Sequence, residues 1–193
     1  MVDAVEVAPI AAVGSYRKAL NYDTAASGLP IVRVQANVRL DGPVIGTGDF
    51  FSANIGARSL DGSVGELSIS SDGMIYGYDG SSNNIVYSAP ITLNAWHTLG
   101  ILMDFAANTY TFSFDGTTSS AFAFDPGYTS EVLQRESLIT YALPDAGSNL
   151  RSNFIAYYDN LSATAVVPEP ATTSLLAFGC ATLLNFRRRL KRQ

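Results

Sequence analysis

Apolar and polar residues alternate along much of this chain, and this alternation is the feature that most restricts its fold. The segment 31–40, IVRVQANVRL, places an apolar residue at every second position from Val32 to Leu40 and polar side chains between them. The segments 97–104 and 109–114 follow the same period. Side chains two apart share one face of a β-strand, whereas a helix repeats every 3.6 residues. The pattern therefore predicts half-buried strands.

Asp-Gly pairs separate many of these segments, and both residue types tolerate the positive φ that tight hairpin turns need. Strands and turns recur at intervals of about ten residues, a spacing that favours a sandwich or a barrel. One helical turn is expected within 129–136, TSEVLQRE. The five pairs are Asp41–Gly42, Asp61–Gly62, Asp72–Gly73, Asp79–Gly80 and Asp115–Gly116.

The segment 95–118, AWHTLGILMDFAANTYTFSFDGTT, resembles a strand–turn–strand unit of the laminin G-like and concanavalin A-like jelly rolls. In that family a Trp opens a strand that ends near an Asp, and an aromatic-rich strand then ends in Asp-Gly. Here these residues are Trp96, Asp104 and Asp115–Gly116. The segment 154–166, FIAYYDNLSATAV, is similar to the last strand of that fold. The resemblance implies an all-β jelly-roll β-sandwich over residues 10–166, after an N-terminal segment 1–9.

The last 27 residues differ in character from the rest of the chain. Pro168, Glu169 and Pro170 precede an uncharged, mostly apolar stretch at 171–186, which a basic cluster follows. This three-part order resembles the PEP-CTERM sorting signal of Gram-negative and related bacteria. The resemblance implies export and processing at the Pro-Glu-Pro motif by an exosortase-type transpeptidase. The basic residues are Arg187, Arg188, Arg189, Lys191 and Arg192.

The apolar stretch at 171–186 is expected to form a single C-terminal transmembrane helix. As a helix its 16 residues would extend about 24 Å, and snorkelling basic side chains would cover the shortfall against a bilayer core of about 30 Å. Basic residues stay on the cytoplasmic side. We therefore expect an exported protein that this helix anchors in the inner membrane before processing, and that then lies at the cell surface or in the extracellular matrix.

Export also requires an N-terminal signal peptide, and the first twenty residues do not resemble one. Asp3 and Glu6 stand where positive charge is expected, and Arg17 and Lys18 come too late. We therefore expect either a misassigned start or a fragment.

The charge of residues 1–170 excludes one class of partner. They hold seven basic residues and all seventeen acidic ones, a balance of −10, so they repel nucleic acid. Cys180 is the only cysteine and His97 the only histidine, so a cysteine or histidine metal site within one chain is not expected. No cofactor is expected. Calcium would need oxygen ligands, which Asp72, Asp79 and the amides of the 83–84 turn offer, although turn formation alone explains these residues.

The main candidate binding site is a group of aromatic, amide and carboxylate side chains around the turns at 79–84. Tyrosine offers an apolar face to a sugar ring and a polar tip to its hydroxyls, so a neutral polysaccharide is the expected ligand. Half-buried strand tyrosines are the competing explanation. The candidates are Tyr76, Tyr78, Asp79, Asn83, Asn84 and Tyr87.

No catalytic arrangement is evident. The four glutamates of residues 1–166 do not form the carboxylate pair of a jelly-roll glycosidase, and His97 is interpreted as a core or edge histidine. Trp96 is expected in the core with Phe112 and Phe114. The sequence therefore predicts a non-enzymatic surface or matrix protein that binds carbohydrate. A purely structural matrix component and a degenerate jelly-roll glycoside hydrolase are the alternatives.

Overall fold

A computed structural model describes residues 13–45, 51–79, 84–125, 127–128, 130, 132–142 and 154–166. These ranges contain strands and one helix of four residues. In chain order the elements are β1 Val13–Asp23, α1 Thr24–Ser27, β2 Ile31–Asp41, β3 Phe51–Ser59, β4 Ser63–Ser70, β5 Met74–Asp79, β6 Ile85–Pro90, β7 His97–Asp104, β8 Thr109–Phe114, β9 Thr117–Thr118, β10 Phe122–Ala123, β11 Val132–Ala142 and β12 Ile155–Ala165.

The strands form two antiparallel sheets that pack face to face. The first sheet has the order β1-β11-β3-β4-β5-β6, and the second has the order β10-β8-β7-β2-β12, with β9 paired to β8. Neighbouring strands such as β3 and β11, or β2 and β12, are far apart in the chain, so each sheet depends on pairing between distant segments. The expected all-β sandwich is confirmed.

The core lies between the sheets and follows the alternation in the sequence. On β2 the five apolar residues from Val32 to Leu40 are buried, while Arg33 between them is exposed. Tyr110 and Phe112 of β8 are buried as well, and their rings meet edge to face with centroids 5.3 Å apart. Burying a side chain as large as phenylalanine stabilises the fold by about 1.5–3 kcal/mol.

Glycines of the first sheet make room for these aromatic rings. A Cβ added at Gly77 of β5 would overlap the ring of Phe112, and one at Gly65 of β4 would lie 3.4 Å from Tyr110. Gly77 pairs with Leu67, whose side chain points to the core. Because Gly77 has no side chain, the Phe112 ring of the opposite sheet packs directly against β5, as close packing requires.

The expectation that Trp96 belongs to this core is wrong. Its side chain is 46% exposed. It directly precedes β7, where Leu99, Ile101 and Met103 point to the core. Because side chains alternate between faces, residue 96 lies on the outer side of the second sheet. Phe112 is buried as expected, and Phe114 is only partly buried.

His97 ties the start of β7 to the turn after β8. Its Nδ1 lies 2.7 Å from Asp115 Oδ2 and its Nε2 lies 2.7 Å from the Thr92 carbonyl oxygen. His97 therefore links the first residue of β7, a strand in the middle of the second sheet, to the two neighbouring turns.

The helical turn expected within 129–136 is also wrong. Val132 begins β11, which lies between β1 and β3, and Glu136 of this strand is fully buried. Pairing on both sides overrides the local helix propensity of the segment. The one short helix in the described ranges is instead α1, which Asp23 caps by accepting from the Ala26 N–H at 2.8 Å and which ends at Gly28 with φ of 67°.

Three of the Asp-Gly pairs lie in turns that the structure describes. Asp61–Gly62 joins β3 to β4, and Asp72–Gly73 joins β4 to β5. At Asp115–Gly116, between β8 and β9, both residues have positive φ, of 45° and 82°. This is the backbone that Asp-Gly favours in two-residue hairpins. Asp41–Gly42 instead ends β2, and Gly80 lies outside the described residues.

The expected sorting tail lies outside the described residues, with its motif at 168–170, its helix at 171–186 and its basic cluster at 187–192. The same holds for the segment 1–9. Within the ranges that the structure describes, no helix has the length and apolar character to cross a membrane.

Candidate functional site

The outward face of the first sheet carries a row of small polar residues where β3 and β4 pair. Ser52 lies opposite Ser70, and Asn54 lies opposite Ser68. All four are at most 1% exposed. Their neighbours Ala53, Ile55, Leu67 and Ile69 point into the core, so alternation places the four polar residues on the other face. We call Ser52, Asn54, Ser68 and Ser70 the polar ladder.

The polar ladder lacks hydrogen bonds that its burial demands. Among the described residues, no partner is found for Ser52 Oγ, Asn54 Oδ1, Ser68 Oγ or Ser70 Oγ. A buried polar atom that is left unpaired costs about 1–3 kcal/mol, and most such atoms in folded proteins are paired. Four such atoms in register on one face of a sheet are therefore unusual.

The next strand continues this face with larger, partly exposed side chains. Tyr78 of β5 lies opposite Glu66, and Tyr76 lies opposite Ser68. The two tyrosine rings have centroids 6.3 Å apart. We call Glu66, Tyr76 and Tyr78 the aromatic edge. It places two apolar ring surfaces beside the buried oxygens of the polar ladder.

Both tyrosines of the aromatic edge keep their phenol protons at neutral pH. The Tyr76 hydroxyl donates to Asp72 Oδ2 at 2.6 Å, and this hydrogen bond, with burial and the Asp72 charge, raises the pKa of Tyr76 to about 12. Burial, with the charges of Glu66 and Asp72, raises the pKa of Tyr78 to about 12. The Tyr78 hydroxyl is therefore neutral and can donate or accept a hydrogen bond.

Glu66 joins the aromatic edge to the polar ladder. The Asn54 amide donates to Glu66 Oε1 at 2.6 Å. Burial raises the pKa of Glu66 to about 7, and the hydrogen bond from Asn54 opposes part of this rise. Near neutral pH the carboxyl group is thus present both protonated and ionised, so it can donate to or accept from a hydroxyl group.

Of the predicted site residues that the structure describes, two share the outward face of the first sheet. Tyr76 and Tyr78 share the outward face, two positions apart on β5. Tyr87 of β6 points the other way, and its ring packs against Phe112 with centroids 6.3 Å apart. The Asp79 N–H donates to the Asn84 carbonyl at 3.0 Å, so these two residues close the β5–β6 turn. Asn83 lies outside the described residues.

The acidic residues of this region also serve the turns. The Asp72 carboxylate accepts from the Met74 N–H at 3.0 Å and from the Tyr76 hydroxyl. Asp79 Oδ1 accepts from the Asn84 N–H at 3.2 Å. No group of three or more histidine, cysteine or acidic residues that could hold a metal ion occurs among the residues that the structure describes.

The polar ladder and Glu66 were missed by the sequence interpretation. The segments FSANIGARS and SVGELSIS alternate small polar with apolar residues, which is the pattern of a strand with one solvated face. A usable signal did exist, because the Asp61–Gly62 turn makes β3 and β4 a hairpin and so brings Asn54 and Glu66 onto neighbouring strands. The burial of their face required the tertiary structure.

No protein-family model matches the chain, and no curated protein sequence matches it. Solved structures do share its fold. A sialidase aligns at a TM-score of 0.58 and 12% identity, over 84% of this chain and 15% of its own. The CBM2 module of the Lactobacillus casei BL23 phage J-1 evolved Dit aligns at 0.54 and 10% identity, over 77% of this chain and 67% of its own. The potassium-bound carbohydrate recognition domain of Emp46p aligns at 0.52 and 10% identity, over 72% and 73%.

At these identities the likeness establishes the fold: a jelly-roll-like sandwich of two antiparallel sheets. This chain spans only 15% of the length of the sialidase. Folds of this kind host many functions, so a function has to be argued from the site.

Proposed function

We propose that this protein is a non-enzymatic carbohydrate-binding module that holds a neutral glycan against the outward face of its first sheet. The observation that carries the proposal is the aromatic edge, where two partly exposed tyrosine rings, with centroids 6.3 Å apart, lie beside the carboxyl group of Glu66. A carboxyl group and a phenol hydroxyl group next to aromatic rings match the two chemical sides of a sugar.

Each part of the site has a separate role in this proposal. The ring of Tyr78 stacks on the apolar C–H face of a sugar, and its neutral hydroxyl hydrogen-bonds to the rim of that sugar. Glu66 binds a hydroxyl group of the sugar, and the buried Asn54 amide, which donates to Glu66 Oε1, holds this carboxyl group in position. Two of the compared structures are named as a carbohydrate-binding module and a carbohydrate recognition domain, which supports the ligand class.

The charge of the chain favours a neutral ligand. Residues 1–170 carry a balance of −10, so an anionic polysaccharide is repelled at low salt. Partly exposed sugar sites bind weakly, and we expect a Kd between millimolar and tens of micromolar, or about −4 to −6 kcal/mol.

Binding should depend on Tyr78. We expect Tyr78→Ala to weaken binding of a neutral oligosaccharide about tenfold, because the variant loses both the aromatic face and the hydroxyl group that contact the sugar. Titration calorimetry after a glycan-array screen measures this. Tyr16→Ala is the matched control, since Tyr16 is a 42% exposed tyrosine of β1 at the opposite edge of the same sheet. Absence of binding at millimolar glycan, or an unchanged Kd in Tyr78→Ala, would contradict the assignment and leave the structural-matrix alternative.

A degenerate glycoside hydrolase is the second candidate function, and Glu66 is the observation that favours it. A carboxyl group with a pKa near 7 is suited to act as a general acid at neutral pH. A glycosidase also needs a second carboxylate, and Asp72 of the neighbouring turn already accepts two hydrogen bonds. Release of reducing ends from a bound oligosaccharide, abolished in Glu66→Gln, would establish this alternative.

We also propose that the C-terminal tail sorts the protein through an exosortase-type system. The three-part order of residues 168–192 supports export, temporary anchoring in the inner membrane, and release at Pro168–Pro170 to the cell surface or matrix. In the native host, mass spectrometry of the surface protein should recover peptides from the β-sandwich and none from 175–193. Recovery of the intact C-terminus from the surface would contradict processing. Neutral residues in place of Arg187–Arg192 should reduce membrane retention, because the positive-inside effect is lost.

A further inference from the structure

A second aromatic surface lies on the opposite side of the sandwich. The exposed ring of Trp96 packs against Tyr157 of β12, with centroids 6.4 Å apart and an interplanar angle of 57°. In the register of β2 with β7, Val38 is opposite His97, which places Trp96 beside the position of Arg39. Arg39 is in turn paired with Tyr157 across β2 and β12.

Charged groups hold this surface in place. Arg39 Nε and Nη2 donate to the two oxygens of Asp41 at 2.6 and 2.7 Å. The Arg39 guanidinium carbon lies 5.6 Å from the centroid of the Tyr157 ring, within the range of a cation–π contact. We call Trp96, Tyr157, Arg39 and Asp41 the tryptophan platform. The charges of Arg39 and Asp41 cancel, and the two hydrogen bonds to Asp41 fix the orientation of the Arg39 guanidinium.

The sandwich does not need Trp96 for its core. Leu99, Ile101 and Met103 fill the inner face of β7 completely, and all three are fully buried. Trp96 therefore stays 46% exposed on the outer side of the sheet, where a large apolar group has a solvation cost.

The size of the tryptophan platform fits a sugar better than a protein. One aromatic side chain can bury about 150–250 Å², whereas a stable protein interface buries about 800 Å² on each partner. The combined area of the Trp96 and Tyr157 rings matches that of one or two pyranose units. The surrounding side chains on β2 and β7 are polar, including Asn37, which accepts a hydrogen bond from Thr98 at 3.1 Å.

We infer that the tryptophan platform is a second glycan-binding site, for a neutral pyranose ring, and that the protein bridges two polysaccharide chains through sites on opposite faces of the sandwich. The apolar face of the sugar stacks on the indole, while Arg39 and Asp41 offer a donor and an acceptor to adjacent hydroxyls. The site stands on its own observations. The bridging rests on the proposed function of the first sheet.

Tryptophan fluorescence measures binding at this site directly, because Trp96 is the only tryptophan of the chain. Full-length protein, kept in mild detergent because of its apolar stretch, is titrated with neutral gluco-, manno- and galacto-oligosaccharides. We expect at least one series to shift the Trp96 emission to shorter wavelength and to protect it from acrylamide quenching. Tyr157→Ala should weaken this response about tenfold, and Tyr78→Ala should leave it unchanged. Unaltered quenching at millimolar concentration of every series would overturn the second site.

Bridging is tested with a long polysaccharide of the responding series, measured by viscosity and co-sedimentation. Wild type should cross-link it, while Trp96→Ala and Tyr78→Ala should each still bind it without cross-linking. Trp96→Ala changes an exposed side chain, so an unchanged melting temperature serves as its folding control. A single-site variant that still cross-links would show that self-association causes bridging, and would overturn the inference. In another outcome, sugars change the Trp96 fluorescence, but Tyr78→Ala alters neither binding nor cross-linking. That result would refute the first site and the bridging, while the tryptophan platform would still stand as a binding site.

Discussion

Phe112→Ala is expected to lower the free energy of unfolding by about 3–5 kcal/mol, the range for removing a fully buried phenylalanine. Phe112 is 1% exposed, and its ring meets Tyr110, Phe122 and Tyr87 with centroids 5.3–6.3 Å away. Its removal leaves a cavity between the sheets. Small domains are stable by only about 5–15 kcal/mol, so the variant should lose a large part of its stability in urea unfolding.

Trp96→Ala is the aromatic control for this result. Because Trp96 is exposed, we expect a change within about 0.5 kcal/mol, as for ordinary surface substitutions. Equal losses in the two variants would mean that the faces of β7 and β8 are assigned wrongly.

The close contact between Phe112 and Gly77 allows a sharper test. Gly77→Ala alone forces a Cβ into the ring and should cost about 1–3 kcal/mol by overpacking. In the Phe112→Ala background the same Cβ enters the new cavity, so its cost should nearly vanish. The double-mutant cycle should therefore give a coupling of about 1–3 kcal/mol. Additive losses would show that β5 and β8 do not meet at this point.

Glu66→Gln should change the pH dependence of stability. Each pKa unit corresponds to about 1.4 kcal/mol, so the rise in the pKa of Glu66 from 4.5 to about 7 is worth at most about 3 kcal/mol. Between these two values the folded state holds a proton that the unfolded chain releases. The contribution of Glu66 is therefore fully present below pH 4.5, declines as pH rises, and is lost above about pH 7.

The measurement is the difference between wild type and Glu66→Gln, because the pH dependence of all other groups cancels. The two proteins should be similar in stability at pH 4.5, and the variant should be more stable by up to about 3 kcal/mol at pH 8. The amide carbonyl that Glu66→Gln introduces can still accept from the Asn54 amide, so the local hydrogen bond is kept. Parallel stability curves, or a Glu66 carboxyl that titrates near pH 4.5 by NMR, would show that this face is solvated.

The local pattern of the chain was enough to predict its strands and many of its turns. The buried face of β2 from Val32 to Leu40 follows from alternation alone, and so does the shared face of Tyr110 and Phe112. The same rule, applied consistently from Leu99, would have placed Trp96 on the outside of the second sheet. The family resemblance led to the wrong assignment there, because it identified an aromatic residue without its direction.

The arrangement of strands from distant parts of the chain could not be predicted in this way. Alternation shows which residues share a face, but not which strand lies beside them or what covers that face. The polar ladder therefore looked like a solvated surface, and the pairing of β11 with β1 and β3 was hidden behind a local helix signal. The local register of β5 and β6, in which Tyr87 lies opposite Gly77, separated Tyr87 from Tyr76 and Tyr78. Long-range pairing placed Tyr157 next to Trp96, 61 positions away. The tryptophan platform arises from long-range pairing of this kind, whereas the aromatic edge lies on consecutive hairpin strands.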